Sequence, residues 1–111
     1  MLQLAEIEQN LRQAVAELDA INAGSVSYCE IDVTDACDRL NEARGHIYAL
    51  PETHEASRLR ALAALADAHV TVELGAPAHV RAGMIELARV YWPERMAVIA
   101  GAGGAVERVA A

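Results

Sequence analysis

Residues 26–50 read VSYCEIDVTDACDRLNEARGHIYAL. Val26, Cys29, Val33, Ala36, Leu40, Ala43, Ile47 and Leu50 recur at alternating intervals of three and four, so all eight share one stripe of a helix. Of the seventeen other positions from 27 to 49, only Tyr28, Ile31, Cys37, Tyr48 and Ala49 are apolar. That contrast predicts a helix over 26–49, opened by a capping box of Ser27 and Glu30 and stopped at Pro51. The β-branched and aromatic residues of Ser25 to Val33 keep a competing reading open, an α+β fold with a small β-ribbon formed from 25–33 and 70–74.

The flanking sequence repeats the helical period. Leu4, Ile7, Leu11, Ala14, Leu18 and Ile21 form a second seam, which predicts a helix over 3–22 ending at Gly24. Residues 52–74 carry apolar side chains on more than one face, the pattern of a helix set between neighbours, and stop at Gly75 and Pro77. Val80, Met84, Leu87 and Tyr91 predict a fourth helix over 78–92, broken at Pro93 and resumed over 93–100 until the glycines at 101, 103 and 104. Short connections make antiparallel neighbours. The expected fold is therefore all-α, an antiparallel up-down four-helix bundle with the last helix broken at Pro93. Residues 1–100 read as one domain and 101–111 as a Gly-rich tail.

Composition narrows function. The chain has 111 residues, 54% apolar, with no Phe and a single Trp, and all nine of its basic residues are Arg. Its sixteen carboxylates give a net charge of −7, which argues against binding nucleic acid or an anionic membrane, since both need an excess of cations. Residues 1–55 hold eleven of the carboxylates and three Arg, a net of −8. The start MLQLAE has neither a basic nor a long apolar segment, and two cysteines are too few for a disulfide framework, so a reducing cytoplasmic setting is expected.

No set of residues spells a reaction. Ala97 to Gly104 resembles a dinucleotide-binding glycine loop, but only seven residues follow it and Val106 occupies the third glycine position. His46 and His54, close to a turn near residue 51 with Glu42, Glu52 and Glu55, are the best placed for a metal, which needs three or four converging ligands. His69 falls about 20 Å from His46 in a hairpin register. Cys29, His69 and Glu73 could meet as a nucleophile with its base, although Cys29 sits on the apolar seam. Asp32, Asp35, Asp38 and Glu42 lie off that seam and are expected to face water.

The sequence thus favours a non-enzymatic protein-interaction module with no cofactor, a small regulator or inhibitor of a basic or nucleic-acid-binding partner. The expected interaction residues are Asp32, Asp35, Asp38 and Glu42, with Arg89, Trp92 and Arg95 as an aromatic–Arg patch in which Trp92 is the candidate for an exposed anchor, a core position being its alternative. The alternatives are a helical metal-binding protein or enzyme using His and carboxylate side chains, and a structural homo-oligomer.

Overall fold

The computed structural model describes residues 3–24, 27 and 29–101. The fold is all-α. Its helices are α1 (Leu4–Asn22), α2 (Glu30–Tyr48), α3 (His54–Ala66), α4 (Ala68–Glu73) and α5 (Ala78–Tyr91), followed by a 3-10 turn at Pro93–Arg95 and α6 at 96–101. No strand occurs among the described residues. Residues 30–33 and 70–73 are helical, which removes the β-ribbon alternative from the described part of those stretches. None of these helices is long and apolar enough to cross a membrane.

The chain divides into two compact units, Met1–Leu59 and Arg60–Ala111, with the division inside α3. In the first, α1 and α2 pack as an antiparallel hairpin. Ile7, Leu11, Ala14 and Val15 of α1 are buried, as are Ala36, Leu40, Ala43 and Ile47 of α2. The seams therefore hold along the middle of both helices. Val15 is an addition to the α1 seam, and the ends of both seams open out, with Leu4 39% exposed. The Ala residues in each stripe have no side chain beyond Cβ to hold the backbones apart, while Leu11 and Ile47 supply fully buried volume. Truncating either to Ala costs on the order of 2–5 kcal/mol.

The helix predicted over 26–49 starts later, at Glu30. Its box is built two residues on from the expected Ser27 and Glu30: the Asp32 carboxylate accepts a hydrogen bond from the Cys29 backbone N–H at 3.0 Å. Ser25, Val26 and Tyr28 lie outside the described residues. Gly24, at φ +72°, ends α1 in the left-handed region that glycine enters at least cost.

In the second unit, the helix predicted over 52–74 is two helices, interrupted at Asp67 (φ −111°, ψ 9°). Its start is fixed in the first unit by Thr53, whose Oγ1 accepts a hydrogen bond from the Ala56 N–H at 3.0 Å. α4 ends in a Schellman motif, with Gly75 N–H donating to Val72 O, Ala76 N–H to Thr71 O, and Gly75 at φ +95°. The break at Pro93 is where the sequence placed it, and Trp92 before it leaves the helical region (φ −150°, ψ 66°), which a residue preceding proline disfavours. Gly101 is the last described residue of α6, and the glycines at 103 and 104 lie outside the described residues.

Candidate functional site

The acidic residues of α2 divide by role. Asp32, Asp35, Asp38 and Glu42 are all exposed. Asp32 caps the helix, and its Oδ2 also accepts from the Cys29 thiol at 3.4 Å. Asp35 pairs with Arg39 at 3.1 Å, one turn along. Glu42 lies 3.7 Å from His46 Nε2. At 100° per residue, Asp38 projects on the side of α2 opposite its buried stripe.

Arg39 ties this row to α1. Its guanidinium grips the Glu17 carboxylate with both terminal nitrogens, the Nη1 bond being 3.1 Å long, while its Nε donates to Asp35 at 3.2 Å. The hydrogen bond from Arg39 holds the Glu17 carboxyl below the usual carboxylate range, and the same contact raises the Arg39 pKa. On the other flank of α1, Glu8 accepts from Arg12 at 3.0 Å and from Arg58 of α3 at 2.5 Å. The Arg58 hydrogen bond lowers the Glu8 pKa most; burial opposes it, and Arg12 adds to it. Arg58 also donates to Glu55 at 2.9 Å, and with Glu8 that drives its own pKa further up.

The flank of the hairpin that carries Arg39 is grooved along its length. Near the loop a hollow of about 400 Å³ is bordered by Glu17, Ala20, Ile21, Asp32, Asp35 and Arg39. Arg39 also borders the next hollow, of about 260 Å³, together with Ile7, Gln13, Glu42, Ala43 and His46. Ile7 and His46 continue into a third, of about 550 Å³, which reaches Leu4, Ala49 and Leu50. The shared residues make the three one trough between α1 and α2, with apolar lining at its two ends and charged or polar side chains between them. Asp38 borders none of the three.

The aromatic–Arg patch is corrected. Only Arg89 is exposed, paired with Glu86 at 3.1 Å. Trp92 is 5% exposed and Arg95 3%, so neither is a surface anchor. The chain turns at Pro93 and carries Arg95 inward, over the Trp92 ring at 5.6 Å, where its Nη1 donates to the carbonyls of Leu65 and Ala66, the latter at 2.9 Å. These carbonyls lie at the end of α3, where a helix leaves its last acceptors unsatisfied.

The histidine cluster does not assemble as drawn from sequence. His46 has Glu42 as its neighbour, but among the described residues no three His, Cys, Asp or Glu side chains converge as metal ligands. Cys29 is exposed at a helix cap, off the buried seam, and its thiol faces Asp32. His69 Nδ1 lies 3.1 Å from Arg95 Nη2; a guanidinium only donates, so Nδ1 accepts and the ring proton is on Nε2. Glu17 and Arg39 were missed as a pair by sequence reasoning, although an antiparallel register about the 23–29 connection sets Glu17 opposite position 35, one turn from Arg39. The chain matches no family model, no curated protein and no solved structure.

Proposed function

We propose that this chain is a non-enzymatic interaction module that binds a basic protein partner through the acidic α1–α2 hairpin. The observation that carries the reading is the separation of charge between the two units. The first unit holds eleven carboxylates and four Arg, a net of −7, and the second holds five of each. A field of one sign confined to one surface steers and selects an oppositely charged partner. Repulsion within such a field costs stability, and only some of these carboxylates recover it through Arg pairs.

The module acts in the cytoplasm on this reading, as a regulator or inhibitor that occupies the basic surface of its partner. The test is affinity capture from the native host with the wild-type chain and with the combined Asp35→Asn and Glu42→Gln variant, after thermal melting has shown that the variant folds. Loss of the captured protein in the variant is the expected result. Equal capture by both chains overturns the reading.

A further inference from the structure

The trough on the Arg39 flank of the hairpin specifies the form of the partner, an inference that rests on the acidic-hairpin reading. α1 and α2 each have 19 residues, so the trough runs for about 28 Å. The groove between two packed helices is the seat a further helix takes in a bundle, ridges into grooves. Its lining offers apolar surface at both ends, Ala20 and Ile21 near the loop and Leu4 and Leu50 at the far end, and is polar between them, where Ile7 and Ala43 are already buried in the hairpin core. Leu4 is 39% exposed and Ile21 is partly exposed, so this flank has apolar surface left to bury. Ala20 and Ala43 leave room for side chains of an incoming element.

The rim decides what that element carries. Glu17, Asp32, Asp35 and Glu42 stand along it against Arg39 and His46. Glu17 is gripped by Arg39, while Asp32, Asp35 and Glu42, each also in contact within α2, keep exposed carboxylates toward a newcomer. A groove between helices with apolar ends, edged mostly by carboxylates, complements an amphipathic helix with an apolar stripe at i, i+3, i+4 and i+7 flanked by Lys or Arg. We infer that the trough seats one such basic amphipathic helix of the partner. Its apolar residues lie on Ile21 at one end and Leu4 at the other, and its cations reach Asp32, Asp35 and Glu42.

The test uses the full chain and a fluorescent 18-residue peptide with Leu on one helical stripe and Lys on both flanks. A second peptide has the same composition scrambled so that the Leu residues share no face, and a third has Glu in place of Lys. Anisotropy measures affinity, and circular dichroism reports whether the peptide becomes helical on binding. The striped Lys peptide is expected to bind and gain helicity, at least about tenfold more tightly than the scrambled one, and the Glu peptide not to bind. Ala20→Arg, which plants a cation in the trough, and Asp35→Asn are each expected to weaken binding, the former about tenfold. Glu30→Gln removes a charge from the same helix on the side away from the trough and is expected to leave affinity unchanged. If the scrambled peptide binds as well, or Glu30→Gln costs as much as Asp35→Asn, the trough is not the seat while the acidic reading stands. If no Lys peptide binds, both are overturned. Asp35→Asn, a surface change, keeps the test valid should Ala20→Arg disturb the hairpin.

Discussion

Arg39 on α2 reaches across the hairpin to Glu17 on α1, with an Nη1–Oε1 hydrogen bond of 3.1 Å. It is an ion pair joining those two helices, near the loop end of their buried stripes. It also sets a pH response, shared with Glu8 on the opposite flank. Both carboxyls are held below their ordinary value of 4.5, chiefly by Arg hydrogen bonds. Folding therefore favours their charged forms. The stabilisation is complete above 4.5 and drains away as pH falls through the lowered folded values. The melting temperature should stay level as pH drops from 7 to 5 and fall below about pH 4. Glu8→Gln, which removes the more enclosed of the two carboxylates, should make that fall shallower. A melting curve with no acid limb would contradict this.

A second prediction concerns the buried guanidinium. Arg95 satisfies the carbonyls of Leu65 and Ala66 at the end of α3 and bonds to His69. Arg95→Met keeps the bulk but leaves buried acceptors without a donor, and should cost about 2–4 kcal/mol in urea denaturation. Arg95→Lys, with a single nitrogen that cannot span both the carbonyls and His69, should recover only part of that loss. A Met variant as stable as wild type would show that the carbonyls are satisfied without Arg95.

The third prediction tests the cap of α2. Asp32 accepts the Cys29 backbone N–H, so Asp32→Ala should cost about 1 kcal/mol and loosen the first turn in hydrogen exchange. Cys29→Ser puts a stronger capping side chain at the same position and should be neutral or slightly stabilising. A destabilised Ser variant would mean that the thiol contributes something beyond capping.

The seams were legible because helical periodicity is local. Ile7, Leu11 and Ala14, with Ala36, Leu40, Ala43 and Ile47, could be picked out by spacing alone, and they are the residues the hairpin buries. The break at Asp67 was not legible, since the Ala-rich run around it reads as continuous helix and the carbonyls it leaves are capped by a residue about thirty positions away. The same distance hid the burial of Trp92 and Arg95. An Arg beside a Trp after a proline looks like a surface anchor until the carbonyls that draw it inward are known. The acidic row was visible residue by residue. The trough beside it was not, because it depends on the pairing of α1 with α2 and on which flank Arg58 and Glu8 occupy.

The central claim is that the acidic hairpin is a binding surface for a basic partner. Its most direct test is the affinity of the full chain for the captured protein across a series of salt concentrations, measured in parallel for the combined Asp35→Asn and Glu42→Gln variant. The account predicts that wild-type affinity falls steeply as salt rises, and that the variant binds more weakly with a shallower dependence. An affinity insensitive to salt and equal in the two chains would contradict it.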